Sequence, residues 1–135
     1  MSKAYPVLLV CLLAIHPPAV SASSAVDGLL EQYRSEGAGT FSAAAGRTFW
    51  NRAFTPPGAT EPRRCASCHT EDPDKPGKHL RTGKPIEPLA PSVNPQRLSN
   101  VREIEKWFRR NCEWTLGRTC TAQEKGDVLT YLRTL

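Results

Sequence analysis

Five consecutive residues, Cys65-Ala66-Ser67-Cys68-His69, carry the clearest chemical pattern of this chain. Two thiols three positions apart can each add to a porphyrin vinyl group, and the residue after them sets an imidazole beneath the central iron. C-x-x-C-H is the attachment pattern of c-type haem. It occurs once, so one covalently bound haem is expected, held by Cys65 and Cys68 with His69 as an axial ligand. Two other readings compete. A redox C-x-x-C has no use for the following histidine and usually opens a helix beside a strand. A zinc site would borrow Cys112 and Cys120, and would need reduced thiolates in an exported protein.

What faces the other side of the iron is narrowed by composition. Methionine is the common second ligand of small electron-transfer cytochromes c, and the only methionine is Met1. His79 lies ten residues past His69 in a Pro- and Gly-rich stretch, so a bis-His site would need the loop to cross quickly to the opposite haem face. His79 otherwise reads as a solvated loop residue. Ile104, Phe108 and Asn111 fall at i, i+4 and i+7, one face of a helix that ends at about Asn111. On spacing alone, Asn111 is either a ligand or a left-handed helix cap, for which Asn ranks next to Gly.

The elements that must position these residues are helical. Asp27 can cap a first helix from Gly28 to about Glu36, with Leu29, Leu30 and Tyr33 on one side. A second is expected from about Ser42 to Phe54, stopped by Thr55-Pro56-Pro57-Gly58. Asn100 with Glu103 forms a capping box for a third, from Val101, and Thr121 with Glu124 does so for a fourth, Ala122 to about Arg133. Residues 70–98 carry six prolines and cannot hold a long helix or a central strand. A loop that long is functional or disordered, and a haem would give it something to wrap. No alternating strand pattern or internal repeat stands out. The expectation is an all-α haem domain with a long Pro-rich loop.

The chain opens with Lys3, the apolar run Val7 to Ile15, and small residues around Val20-Ser21-Ala22. That is the layout of a secretory signal peptide, with cleavage expected after Ala22 and Ala25 as the second choice. The run is shorter than the ~20 residues of a membrane span, and Val10 before Cys11 argues against a lipoprotein site. Residues 23–135 should form one soluble, periplasmic domain. Losing the leader removes one cation and no acid from a net charge of +5. Such mild basicity suits an acidic protein partner and lacks the Lys/Arg runs of a nucleic-acid binder. A thin core of this size usually needs a staple or a large cofactor.

Two longer stretches carry a resemblance. RTGKPIEPLAPSVNPQRLS, Arg81 to Ser99, and VREIEKWFRRNCEWTLGRTCTAQEKGDVLTYL, Val101 to Leu132, resemble the sphaeroides haem protein family of oxygen-binding monohaem cytochromes c. The similarity runs from CASCH to Leu132, and the N-terminal helices match only by pattern. The resemblance implies a class I cytochrome c-like fold, His69 as the proximal ligand and Asn111, in Arg110-Asn111-Cys112, as the sixth ligand of the oxidised iron. It also implies a disulfide between Cys112 and Cys120, a dihaem cytochrome c as electron donor and an association with a membrane b-type cytochrome. A carboxamide oxygen is a hard donor suited to ferric rather than ferrous iron, so reduction would open the site to O2, NO or CO.

Three functions follow: a gas-binding cytochrome that can also act as an oxidoreductase on O2, NO or peroxide, a simple electron carrier with bis-His ligation, and a haem-free stapled domain. Arg81 and Lys84 are candidate partners of haem propionates or else solvated. Trp107 and Trp114 are candidate haem contacts or core residues, and Glu113 reads as surface.

Overall fold

The computed structural model describes residues 22–135, so residues 1–21, nearly all of the expected leader, lie outside it. Helix α1 spans Ala22–Ser35 and helix α2 spans Ala43–Asn51; a single turn, α3, spans Ala66–His69. A two-stranded hairpin pairs β1, Gly77–Lys78, with β2, Pro85–Ile86, and two longer helices follow, α4 at Val101–Leu116 and α5 at Ala122–Leu132.

Helix α5 has an apolar residue for each neighbour, and this builds the core. Its Leu129 joins Ala25, Val26, Leu29, Leu30 and Tyr33 of α1 and Ile104 of α4 in one cluster. Its Val128, Tyr131 and Leu132 pack with Phe49 and Trp50 of α2 in a second. The α2–α5 crossing is close enough to need glycine: a Cβ on Gly46 would lie 2.0 Å from the Asp127 carbonyl oxygen. Asp127 also accepts the Ser42 backbone N–H at 2.7 Å, fixing the start of α2.

The caps explain where the helices stop. Thr121 and Glu124 form the expected reciprocal box on α5. Asn100 accepts from the Glu103 N–H, but the Glu103 carboxylate turns to Lys106 instead, so that box is half made. Helix α1 begins before the expected cap, and Asp27 lies inside it, bonded to Arg133 at 2.9 Å. Helix α2 ends at Asn51 rather than Phe54. Arg52 turns extended, and Phe54 pairs with Arg63 across an antiparallel bridge, with N···O distances of 2.9 and 2.8 Å. Tertiary pairing has overridden the apolar spacing there.

The largest departure from the sequence reading is in α4, which continues past Asn111 to Leu116. Cys112 and Thr115 are buried and extend the inward face of Ile104, so the helix has packing to gain beyond Asn111. Gly117, at φ +74, closes it.

The Pro-rich stretch is irregular, as expected, yet internally bonded. The buried Pro73 carbonyl accepts the Leu89 and Ala90 N–H groups at 2.8 and 3.1 Å. Arg97 donates to the Pro88 and Glu87 carbonyls at 3.1 and 3.2 Å. The hairpin within it gave no alternating signal because its strands are two residues each.

Candidate haem site

The CASCH stretch forms the turn α3. Cys68 and His69 both donate their N–H to the Cys65 carbonyl, at 3.3 and 3.2 Å, and Arg64 N–H binds the Ser67 hydroxyl at 3.1 Å. This brings both thiols and the imidazole onto one helical turn. Thr70, at φ +66, ends it. The Trp50 indole N–H holds the Thr70 carbonyl at 2.9 Å, and its ring lies 5.5 Å from that of His69. Helix α2 thereby fixes the turn from behind.

The electrostatics of the turn favour one of the three sequence readings. Cys65 and Cys68 are free. Burial, with Cys68 beside it, pushes the Cys65 thiol up to about 12, the opposite of the depressed value that activates a redox cysteine. Burial first, and the Arg97 guanidinium second, take His69 down to about 4. At neutral pH the imidazole is therefore uncharged, the form that binds metal. Its Nδ1 is buried with no hydrogen-bond partner among the described residues. Two free thiols on one turn, beside a neutral, orphaned imidazole, fit a covalently held haem. The zinc reading loses half its ligands, because Cys112 and Cys120 are bonded to each other with their Cα atoms 5.6 Å apart.

Asn111 sits within α4, five residues before its last, with right-handed helix on both sides. The capping alternative is thereby removed, since Gly117 occupies the left-handed position. Asn111 is partly buried on the face it shares with Ile104 and Phe108, and no hydrogen bond to its carboxamide is found among the described residues. Asn has poor helix propensity in such a position, so local structure gives no reason for it. Phe108, one turn earlier, packs on the cluster that also takes in Cys65 and Ala66. The face carrying Asn111 and the CASCH turn thus pack on one shared apolar cluster.

The end of α4 beyond Asn111 is held three times. Cys112 is bonded to Cys120. Gly117 lies against Pro56 and Pro57, where a Cβ would come within 2.8 Å of the Pro57 ring. Arg63 donates to the Trp114 carbonyl at 2.6 Å, with its guanidinium 4.6 Å from the indole centroid. Arg63 stands two residues before Cys65, so it ties the attachment segment directly to the helix bearing Asn111.

His79 is elsewhere. It lies exposed at the tip of the hairpin, where its Nδ1 accepts the Thr82 N–H at 3.2 Å and its N–H donates to the Lys84 carbonyl at 2.9 Å. Arg81 and Lys84 are exposed on the same hairpin. Trp107 and Trp114 are 46% and 38% exposed and stack with cations, so neither is core; Glu113 is on the surface as expected. The hairpin base presses on the turn: a Cβ on Gly77 would lie 2.1 Å from the Cys68 carbonyl oxygen. An open cavity of about 580 Å³ between them is lined by Ser67, Cys68, Thr70 and residues 76–80.

Sequence reasoning missed Trp50, Arg63, Gly77 and Arg97. All act across 9 to 51 positions of chain on the turn or on α4, and only Gly77 carried even a compositional hint.

Comparisons with known proteins bear on the family and the fold. Residues 36–132 match the family described as a domain of unknown function, DUF1924. The chain is 43% identical over 89 residues to cytochrome c'' of Methylophilus methylotrophus, covering 66% of this chain and 61% of that protein, about three fifths of its length. It is 36% identical over 115 residues to the cytochrome c-type protein SHP of Cereibacter sphaeroides, covering 85% and 88% of the two chains. The structure of oxidised SHP, an oxygen-binding cytochrome c, superposes with a TM-score of 0.73 at 34% identity, over 82% of this chain and 96% of that one. The solution structure of Methylophilus methylotrophus cytochrome c'', which concerns haem-ligand detachment, gives 0.72 at 34% identity, over 82% and 93%. The helical frame is that of a class I-like cytochrome, and haem is the cofactor these relatives imply. The chain belongs to the DUF1924 family, as a cytochrome c of the kind represented by sphaeroides haem protein and cytochrome c''.

Proposed function

We propose that the mature chain, residues 23–135, is a periplasmic cytochrome with one haem c, attached through Cys65 and Cys68 and ligated by His69 and Asn111. In this reading Asn111 is a redox-controlled gate to a diatomic ligand, O2, NO or CO, and a dihaem cytochrome c supplies the electrons. When bound, haem contributes an iron that cycles between ferric and ferrous, the ferrous form taking up a diatomic gas at an open position.

The chain's own residues account for the rest. His69 is kept neutral by burial and Arg97, and Trp50 fixes its turn. Asn111 offers a hard carboxamide oxygen, which matches ferric iron and is a poor ligand for ferrous iron. The observation that carries the reading is the position of Asn111: inside the helix and partly buried, with no hydrogen bond to its carboxamide among the described residues, and anchored immediately afterwards by Cys112. SHP is described as oxygen-binding, and work on cytochrome c'' concerns ligand detachment; both support the reading. The exposed, internally bonded His79 favours Asn111 over bis-His ligation.

Spectra of the oxidised, reduced and CO-treated protein test it. Asn111→Ala should change the ferric spectrum and Asn111→His should suppress CO binding to the reduced protein, while His79→Ala leaves both unchanged. A changed ferric spectrum in His79→Ala, with Asn111→Ala unchanged, would identify a bis-His electron carrier instead.

A further inference from the structure

The hairpin beyond the attachment turn has more order and more charge than a connecting loop needs. Its ten residues, GKHLRTGKPI from Gly77 to Ile86, include Lys78, Arg81 and Lys84 and no carboxylate. All three cations are exposed, as is Leu80, which at 60% is the most exposed large apolar side chain among the described residues. The carboxylates before it, Asp72 and Asp74, lie within 4.0 and 3.7 Å of Lys75, and Glu87 stands beyond the base of β2.

The arm is also stiff. Ladder pairing joins Gly77 to Ile86 and Lys78 to Pro85. The tip is closed by the His79 and Gly83 N–H bonds of 2.9 and 2.8 Å and by the bond from Thr82 to the His79 imidazole. Gly77 seats the base on the Cys68 carbonyl with no room for a side chain, and Leu80 lines the same cavity as Cys68. An exposed apolar side chain on a short hairpin with three exposed like charges, seated on the Cys68 carbonyl, has the composition of a small, transient protein interface.

We propose that this hairpin is the docking surface for an acidic one-electron donor protein, with Leu80 as the apolar contact and Lys78, Arg81 and Lys84 steering the approach. The proposal rests on the haem reading above and adds where the electron enters. One electron leaves the donor's reduced centre and converts the ferric haem to ferrous; no atom or proton is transferred. Charge steering raises encounter rates by 10- to 1000-fold and is screened by salt. A basic strip on α4 (Arg102, Lys106, Arg109 and Arg110) is the competing surface, but Glu103 pairs with its Lys106, and Lys106 and Arg110 are drawn over the Trp107 ring.

The test uses the haem-loaded protein and two reductants generated by flash photolysis. Reduced flavodoxin serves as the acidic protein probe, and lumiflavin semiquinone as a small uncharged one. The flavodoxin rate should fall steeply with ionic strength. The K78E/R81E/K84E variant should lose about ten-fold or more at low salt, and Leu80→Ser should lose a smaller factor that is independent of salt. The lumiflavin rate should not change in either. Carbodiimide coupling should join flavodoxin carboxylates to Lys78 or Lys84. A salt-dependent flavodoxin rate that the triple variant leaves intact, or couplings confined to Lys106, would overturn the proposal. So would binding to phosphatidylglycerol vesicles that the triple variant abolishes while the flavodoxin rate stands, which would make the arm a membrane contact. A protein with no lumiflavin-reducible Soret band would remove the haem reading, and the docking with it.

Discussion

Replacing both Cys112 and Cys120 by alanine measures what the disulfide contributes, and separates its two roles. Their sequence separation is 8, so the bond closes a loop of about nine residues, which on the chain-entropy model stabilises the fold by roughly 2.5 kcal/mol. Alanine rather than serine is the right probe, because Cys112 is only 5% exposed and a buried hydroxyl would add its own desolvation cost. For a domain of this size, each kcal/mol is roughly 4 °C in Tm, so the variant should melt about 10 °C lower.

Far-UV circular dichroism of the haem-loaded proteins, scanned at two heating rates, gives that number. A phosphine reductant added to the unsubstituted protein should reproduce it. A fall of less than ~3 °C would refute the entropic estimate, and would mean that Gly117 and the Arg63–Trp114 clamp already hold the α4 terminus as tightly in the absence of the bond. The same variant reports on the gate. If Cys112 also restrains the neighbouring Asn111, CO should bind the reduced variant faster than the parent. A large loss of Tm with an unchanged CO rate would leave the disulfide as a staple and nothing more.

Gly77→Ala sets a methyl 2.1 Å from the Cys68 carbonyl oxygen and 3.0 Å from the His69 Cα, so the hairpin must lift off the turn. A cost of roughly 1–3 kcal/mol and a lower yield of covalent haem, read by acid–acetone extraction, are expected. Glu124→Gln tests the α5 cap: Arg118, and then the Thr121 N–H, hold the Glu124 carboxyl below its usual range. Its contribution is therefore present above the ordinary carboxylate pKa and fades as pH falls. The variant should lose about 1 kcal/mol at pH 7, with the gap closing below about pH 4; denaturant melts showing a gap constant from pH 7 to 3 would contradict this. Arg63→Ala should loosen α4 relative to the turn and shift the ferric spectrum, whereas Arg63→Lys, which can still reach the Trp114 carbonyl but cannot stack its plane on the indole, should recover only part of the shift.

How much of this was legible in the sequence depended on the reach of each interaction. The CASCH turn was recognisable because its residues are contiguous, and the structure sets them on one helical turn. The Thr121–Glu124 box was readable for the same reason. The end of α4 was not. Asn111-Cys112 resembles a stop, and the true stop, Gly117, looked like one glycine among several until the burial of Cys112 and Thr115 showed what the extra turn packs against. The fix of α3 by Trp50, and of α4 by Arg63, cross 20 and 51 positions of chain, and no periodicity encodes such pairs. The Pro-rich stretch was legible as irregular. Its hairpin was not, since two-residue strands have no period to detect.

The position of the helix end changes how the proposed gate would work. An Asn at a helix terminus could leave the iron by fraying, with backbone and side chain moving together. An Asn five residues before the last of α4, with Phe108 packed against the core on one side and Cys112 bonded on the other, has no such freedom. Moving its backbone would strain the disulfide, the Gly117 contact with Pro56 and Pro57, and the Arg63–Trp114 clamp at once. On the proposed ligation, the carboxamide must then leave by rotating about its own χ angles, a ps–ns event in an unhindered side chain, while α4 stays in place. The rate at which gas enters would be governed by the iron–oxygen bond and the room beside Phe108 and Ile104, and the helix would act as a fixed post on which a small group swings.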